Sequence, residues 1–399
     1  NTLVMKINLK ENKAFCSYAF KGIMIEKDGR TRPCCRFQDH RSDRLKLTED
    51  TSITDITDSQ YFEDIRKKML AGEKVAGCVR CYREEESGAD SMRMDGPNGI
   101  DTDVEDVELQ YIEIETGRHC NLKCRICSAD VSTKWNEDVP KLPSSLQHLY
   151  ARGLDLGADY INTSLEHLSK SDCSKLKTLK VTGGEPFLSK SFLTFVDNIV
   201  KWGIAKNITV KLYTNTSYLP KKKYIDQLLK FKGVQLHMSI DDIGKRNDYQ
   251  RSGSEWKTLE SVANHWMELA SKEEKLDLFI NNSVSIFNLL TLNEFTEWVT
   301  QKQQHYKIFI QCMYQPIHWP RELAYYNWPR HIKNRMKESL AKHKKPSKNI
   351  KQLYSVLDTH PVTTISVKKE FLNTTTSLDS IRNENWEHVF PELFKLING

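Results

Sequence analysis

Short strand-like segments alternate with amphipathic helical segments through the middle of the chain. Six segments have the apolar pattern of strands: residues 109–115, 176–182, 208–213, 234–240, 276–286 and 307–311. Helical patterns lie between them at residues 192–202, 222–230, 256–270 and 292–301. This alternation predicts an α/β fold with a parallel sheet, either open or curved into a partial (βα)6 barrel. Ligands of such folds bind at the carboxyl ends of the strands.

Three regions differ in pattern and predict three domains. Residues 1–100 hold five cysteines, a turn at 27–29 and one helical stretch at 59–70. Residues 101–320 hold the alternating segments, and residues 321–399 look helical and polar, with a basic run at 342–351. The net charge of +6 over 399 residues neither indicates nor excludes a nucleic-acid partner.

The apolar runs and the first residues of the sequence indicate the cellular location to expect. The longest apolar runs fall far short of the roughly 18 residues that a membrane span needs. Residues 1–15 lack the apolar core of a signal peptide. We therefore expect a cytoplasmic protein without membrane contact.

Cysteine is the most informative residue type in this chain. Eight of the ten cysteines lie in the first third. A disulfide framework is typical of short secreted chains, whereas clustered cysteines in a cytosolic protein indicate metal binding or redox chemistry. Cys173 stands apart in a polar segment, and we expect it to be a surface thiol.

The tightest cysteine cluster follows the first predicted strand of the middle region. Cys120, Cys124 and Cys127 have the spacing C-x3-C-x2-C on a loop. Thiolates are soft ligands for zinc, copper(I) or iron–sulfur clusters. Three thiolates leave one iron of a four-iron cluster without a protein ligand, and chemistry at a metal needs such an open position. The alternative is a zinc site formed by Cys124, Cys127, Cys78 and Cys81. That site would leave Cys120 without a role.

This loop resembles the signature of the radical S-adenosylmethionine (SAM) superfamily, and the likeness extends over most of residues 109–320. The resemblance implies that Cys120, Cys124 and Cys127 bind a [4Fe–4S] cluster whose fourth iron is chelated by SAM. It also implies that one electron from the cluster cleaves SAM into methionine and a 5′-deoxyadenosyl radical, which abstracts a substrate hydrogen. The residue before the third cysteine is usually aromatic in the superfamily and is Ile126 here.

Further matches to the superfamily follow the ends of the later predicted strands. A Gly-Gly-Glu-Pro sequence closes the second strand, and polar residues end the third and fourth. Glycines allow a ligand to approach the backbone closely, a glutamate can accept hydrogen bonds from the methionine ammonium, and a guanidinium can pair with its carboxylate. Asn215 is equally compatible with a plain turn. The implied SAM-binding set is Gly183, Gly184, Glu185, Asn215, Ser239, Asp241 and Arg251.

A second cysteine set in the first 100 residues has the pattern C-x12-G-x4-C followed by C-x2-C. It resembles the auxiliary-cluster module called twitch, a shortened relative of the SPASM domain. In better-known members this module follows the barrel, whereas here it precedes it. The resemblance implies that four thiolates hold a second [4Fe–4S] cluster: Cys16, Cys34, Cys78 and Cys81. Cys35 could replace Cys34, and zinc could occupy the same four cysteines.

The resemblance implies an enzyme that uses SAM and two iron–sulfur clusters and takes electrons from a one-electron donor such as flavodoxin or ferredoxin. Relatives with auxiliary modules often modify peptides, so we expect radical crosslinking, epimerisation or oxidation of a peptide or protein side chain. One alternative is modification of a nucleotide or nucleic-acid base, indicated only by the net charge and the basic run. A second alternative is a non-catalytic iron–sulfur redox sensor.

Overall fold

The computed structural model describes residues 12–39, 43–86, 90–95, 108–154, 163–343, 348–359 and 366–399. The strands in these ranges are β1 (Gly22–Ile25), β2 (Thr31–Arg32), β3 (Tyr111–Glu115), β4 (Thr178–Thr182), β5 (Thr209–Thr214), β6 (Gly233–Ser239), β7 (Leu276–Val284) and β8 (Ile310–Pro316). The helices are α1 (Tyr18–Lys21), α2 (Ile53–Thr57), α3 (Gln60–Leu70), α4 (Val79–Glu86), α5 (Met92–Asp95), α6 (Ser144–Tyr150), α7 (Lys190–Lys201), α8 (Lys222–Leu228), α9 (Lys245–Gln250), α10 (Trp256–Ala270), α11 (Leu292–Tyr306), α12 (Arg330–Ala341), α13 (Lys348–Thr359), α14 (Ser366–Arg382), α15 (Trp386–Val389) and α16 (Pro391–Asn398).

The strands form one sheet in the order β2-β1-β3-β4-β5-β6-β7-β8. The pairs β1–β3, β3–β4, β4–β5 and β7–β8 are parallel, whereas the hairpin β1–β2 is antiparallel. The predicted α/β class is therefore confirmed. The cysteine-rich first region also contributes a strand, because β1 pairs with β3 in the register Gly22↔Tyr111.

One predicted strand was misplaced. The last segment was expected at residues 307–311, but β8 runs over Ile310–Pro316. Helix α11 continues to Tyr306 and ends at Lys307, whose φ of 55° closes the helix in the left-handed conformation. The strand can begin only after this residue, because left-handed backbone does not fit a β-ladder.

The chain divides into two compact units, of which the first comprises Asn1–Gly117, Tyr160–Leu212 and Lys221–Val234. Strand β1 is buried along its whole length, whereas β5 alternates and buries Val210 and Leu212 on one face. Helix α1 packs on β3, where the rings of Tyr18 and Tyr111 meet edge to face at 5.0 Å. Cys173 is buried in this unit at 1% exposure, so the expectation of a surface thiol was wrong. Its polar sequence neighbours hid the burial, since the segment turns back on itself through a bond from the Cys173 N–H to the Ser169 carbonyl.

The second unit comprises Arg118–Asp159, Tyr213–Pro220 and Gln235–Gly399. The C-terminal part of this unit contains helices α12 to α16. It holds an aromatic core, in which the ring of Phe371 lies 5.1 Å from that of Trp386. Across the described ranges, none of the helices is both long and apolar enough to cross a bilayer. The two units follow neither predicted boundary, and the three-domain division stays a prediction.

Candidate functional site

The three cysteines of the C-x3-C-x2-C loop come together in the second unit. Cys120 and Cys124 are buried around Leu122, and the partly buried Cys127 packs against the same cluster. The loop backbone is anchored on the segment after α9, because the Lys123 N–H donates to the Ser252 carbonyl over 2.8 Å. A loop of this kind presents its thiols from one fixed backbone.

The thiols of this loop interact with each other and with two polar side chains. The hydrogen bond with Cys127 lowers the pKa of Cys124 to about 7, helped by the Arg251 guanidinium and opposed by burial. The same hydrogen bond, together with burial, raises the pKa of Cys127 well above its usual value. Arg251 Nη1 lies 3.9 Å from Cys124 Sγ, and Asn215 Nδ2 lies 3.6 Å from Cys120 Sγ. The loop therefore favours the anionic form of Cys124, and the thiolate is the form of cysteine that binds metals.

Asn215 forms a turn and also contacts the beginning of the cysteine loop. Its side-chain oxygen accepts hydrogen bonds from the N–H and hydroxyl of Ser217 at 2.9 and 2.7 Å, as expected of a turn residue. Its Nδ2 donates to Asn121 Oδ1 at 2.8 Å, and Asn121 in turn donates to Ser217 Oγ at 2.8 Å. This turn thus holds the beginning of the cysteine loop.

Asp241 and Arg251 form a buried ion pair beside the loop. Arg251 Nε lies 2.9 Å from Asp241 Oδ2, and both side chains are less than one-tenth exposed. The other carboxylate oxygen of Asp241 accepts from the Ser283 N–H at 2.8 Å. Asp241, which the resemblance places in the SAM-binding set, contacts Arg251 and the Ser283 backbone in this structure. Ser239 lies half-buried at the end of β6.

Sequence reasoning missed the asparagines that shape this strand end. Asn282 Nδ2 and Asn288 Nδ2 each donate to the Asp241 carbonyl at 2.8 Å. Asn247 Oδ1 accepts from the Asp241 N–H at 3.2 Å. These residues come from three different segments, and nothing in their spacing marks them as partners.

The Gly-Gly-Glu-Pro sequence lies in the first unit. Gly183 has a φ of 124°, and a Cβ placed there would lie 2.7 Å from both the backbone nitrogen and the hydroxyl of Thr116. Only glycine fits such a position, since it lacks the crowding atom and tolerates positive φ. Gly184 N–H donates to the Gly117 carbonyl at 2.9 Å. Glu185 is fully buried, and its Oε1 accepts from the Phe187 N–H at 3.2 Å.

The four cysteines of the second set line one small cavity in the first unit. Cys16 precedes α1 and Cys34 follows β2, while Cys78 immediately precedes α4 and Cys81 lies in its first turn. Gly29, at a φ of 83°, makes the turn between β1 and β2. Arg36 and Arg93 also line this cavity.

Burial and mutual repulsion keep these thiols protonated in the metal-free chain. Burial is the main cause that raises the pKa of Cys16 to about 12, with the Cys78 thiol as the next contributor. Burial and then Cys34 likewise raise the pKa of Cys78 to about 12. A cation placed among them would relieve both effects, because it stabilises the thiolates.

Cys35 lies outside this cavity lining. Its Sγ lies 3.7 Å from Lys180 Nζ and 3.9 Å from Met92 Sδ. Lys180 in turn pairs with Glu113 at 2.9 Å. The structure therefore places Cys34, and not its neighbour, with the other three cysteines.

Neither cysteine set is grouped as a site for a single ion. Within the part of the chain that the structure describes, no three His, Cys, Asp or Glu side chains converge as the ligands of one metal ion would. A four-iron cluster is a larger body, and its thiolates surround it at greater separation than the ligands of one zinc ion. The donor sets fit such a cluster by number, residue type and grouping.

Comparison with known proteins gives only distant structural likenesses. No protein-family profile matches this chain, and no curated protein matches it. A solved structure of native anSMEcpe with bound AdoMet and Cp18Cys peptide has 16% identity and a TM-score of 0.33, and the match covers 57% of this chain and 58% of that one. SuiB from Streptococcus suis bound to S-adenosylmethionine has 14% identity, coverage of 75% and 72%, and a TM-score of 0.28. TYW1 with a lysine-pyruvate adduct has 15% identity, coverage of 71% and 90%, and a TM-score of 0.33.

The present chain thus spans less than two thirds of the anSMEcpe chain. With TM-scores below 0.5, these likenesses carry no functional argument. The function proposed below rests on the residues of this chain.

Proposed function

We propose that this chain is a radical SAM enzyme, in which Cys120, Cys124 and Cys127 hold the SAM-binding [4Fe–4S] cluster. The observation that carries the proposal is the grouping of these three thiols on one buried loop, with Arg251 and Asn215 directed at two of the sulfurs. When bound, such a cluster supplies the electron that cleaves SAM into methionine and a 5′-deoxyadenosyl radical.

The chain's own residues prepare this loop for an anionic cluster. The guanidinium of Arg251 faces a sulfur and is held by Asp241, so its position is fixed before any ligand arrives. A fixed donor stabilises charge without reorganising at the moment of reaction. Asn215 likewise directs its amide N–H group at the sulfur of Cys120. In the proposal, Arg251 also pairs with the methionine carboxylate of SAM.

The finer features of the fold belong to the same proposal. We infer that the sheet and its helices form the partial (βα)6 barrel of this superfamily, with Gly183, Gly184 and Glu185 facing the methionine end of SAM and Ser239 and Asp241 facing the ribose. The position of Glu185, fully buried just after β4, supports this role, because ligands of such sheets bind at strand ends.

The auxiliary site is proposed as a second [4Fe–4S] cluster in a twitch-like or SPASM-like module. Its support is the shared cavity of Cys16, Cys34, Cys78 and Cys81. Four protein ligands leave no open iron, so electron transfer from a product radical suits this cluster better than substrate binding. An external one-electron donor such as flavodoxin or ferredoxin would supply the first cluster.

The proposed substrate is a peptide or protein side chain, since auxiliary modules of this kind accompany peptide modification in the superfamily. The nucleic-acid alternative depended on the net charge and on the basic run at 342–351, which lies partly outside the described residues. It remains an outcome of the substrate search.

Anaerobic reconstitution tests the proposed function. The purified chain is loaded with iron and sulfide, reduced, mixed with SAM and assayed for 5′-deoxyadenosine. We expect about eight irons per chain, as two four-iron clusters require, and formation of 5′-deoxyadenosine. Cys124→Ala should abolish cleavage, whereas Cys173→Ala, which changes a buried cysteine outside both sets, should retain it. Zinc in place of iron, or a fully loaded protein that leaves SAM intact, would refute the proposal and favour the sensor alternative.

A further inference from the structure

The two residues on either side of Cys124 have charged side chains. Both side chains form ion pairs with acidic residues from other segments. Arg125 is 2% exposed, and its Nη2 pairs with Asp379 and, at 2.5 Å, with Glu384. Asp379 lies on α14, so the cysteine loop is tied to a segment about 250 residues further along the chain.

Several further contacts fix the Arg125 guanidinium. It stacks on the Tyr249 ring with its central carbon 3.7 Å from the ring centroid, and its Nε donates to the Tyr249 carbonyl at 3.2 Å. Asp379 also accepts from the Tyr249 hydroxyl at 2.7 Å and from the Trp386 N–H at 2.8 Å. Glu384 accepts from the Ser252 hydroxyl at 2.5 Å. The two carboxylates are therefore held by other groups besides Arg125.

A second path runs from Lys123 to the same helix. Lys123 Nζ lies 2.9 Å from one oxygen of Asp138, and Arg382 Nε lies 2.7 Å from the other. The Arg382 guanidinium lies over the Trp135 ring at 4.7 Å. Trp135 Nε1 donates to the Cys124 carbonyl at 3.1 Å. Both sets of contacts therefore involve the backbone of Cys124 or a residue next to it.

Stability alone does not account for this arrangement. Buried ion pairs are weak sources of stability, because desolvation offsets much of their attraction and apolar replacements are often as stable. Directional contacts of this kind instead select one arrangement of the groups they join. Here the group they join is the backbone that presents the metal-binding thiol.

We propose that residues 366–399 are a positioning element for the cysteine loop, acting on Cys124 through Arg125 and through Asp138. Arg125, Asp379 and Arg382 are positioning residues, since none of them lies at the reacting groups. This inference deepens the proposed function and rests on it for the catalytic readout. It also makes a separate claim about the metal-free protein, namely that this element keeps the loop closed.

The test uses a variant that removes the buried charges together, Arg125→Met/Asp379→Asn/Glu384→Gln, so that no unpaired charge remains. Its matched control is Arg335→Met, which breaks the exposed ion pair between Arg335 and Glu392 elsewhere in the C-terminal region. In metal-free, reduced protein, the rate at which iodoacetamide alkylates Cys124 is followed by mass spectrometry. We expect the triple variant to react about tenfold faster or more, since modification of a buried thiol requires local opening. The control should react at the wild-type rate.

The loaded enzyme gives the second readout. We expect the triple variant to retain its iron but to show an altered electron paramagnetic resonance spectrum on addition of SAM, with cleavage slowed by about tenfold. The single variant Arg125→Lys should fall between it and the wild type, and it serves as the test if the triple variant does not fold. The proposal would be overturned if Cys124 in whichever variant folds were alkylated at the wild-type rate. If the triple variant is alkylated faster but the wild type does not cleave SAM, the positioning element stands and only the proposed function is refuted.

Discussion

The buried pair of Asp241 and Arg251 makes a sharp test of the site's construction. Asp241→Asn keeps the size of the side chain and removes its charge, so the guanidinium at 2.9 Å loses its partner inside the protein. Removing one partner of a buried pair costs about 3–5 kcal/mol, and the low end applies because an amide can still accept one hydrogen bond. For a folding unit of about 150–250 residues, a loss of about 3 kcal/mol lowers the melting temperature by about 6–12 °C.

The assay is differential scanning calorimetry of the metal-free, reduced protein at neutral pH. Asp277→Asn is the control, because it makes the same chemical change at an exposed position on the neighbouring strand β7. That variant should melt within about 2 °C of the wild type, as surface substitutions do. If Asp241→Asn also melts within that interval, the carboxylate does not hold the arginine and our account of this strand end is wrong.

Three further predictions concern other parts of the chain. Gly183→Ala should destabilise by about 2 kcal/mol more than Gly203→Ala, because both positions have positive φ but only the first would bring a Cβ within 2.7 Å of backbone; equal melting temperatures would contradict this. Burial raises the pKa of Asp242 to about 6, so its ionisation weakens folding as the pH rises through that value. As the pH rises from about 4.5 to about 7.5, the wild type should therefore lose about 2 kcal/mol more of its free energy of unfolding than Asp242→Asn does, and parallel pH profiles would refute this. Cys34→Ala should lose about four irons per chain while Cys35→Ala retains them, and the reverse result would reassign the ligand.

The elements of the central α/β region could be read from local pattern. The segments that became β3, β4 and β5 show strand periodicity within a few residues of their observed ends, and α10 begins and ends where the pattern predicted. Such signals are short-range, because the alternation of apolar residues reports directly on the face that each residue presents. The cysteine spacings can likewise be read directly from the sequence, and they indicated both sets.

Contacts between distant segments could not be predicted in this way. Arg125 gave no sign of its partner Asp379, which lies 254 positions away. The pairing of β1 with β3 was also missed, since a four-residue strand carries too little pattern to choose a neighbour. Cys173 was placed at the surface because its neighbours are polar, although the backbone turns the thiol inward. In each case the decisive information was the tertiary fold rather than local periodicity.

The central claim is that the C-x3-C-x2-C loop holds a cluster with one open iron that binds SAM. The Cys16→Ala variant tests it most directly, because removing an auxiliary ligand leaves the loop cluster to dominate the spectrum. Electron paramagnetic resonance of this reduced variant is recorded before and after SAM is added. Our account predicts a change in the g-values of the loop cluster on binding, together with formation of 5′-deoxyadenosine. A spectrum that SAM leaves unchanged, in a variant that still carries the about four irons of the loop cluster, would contradict it.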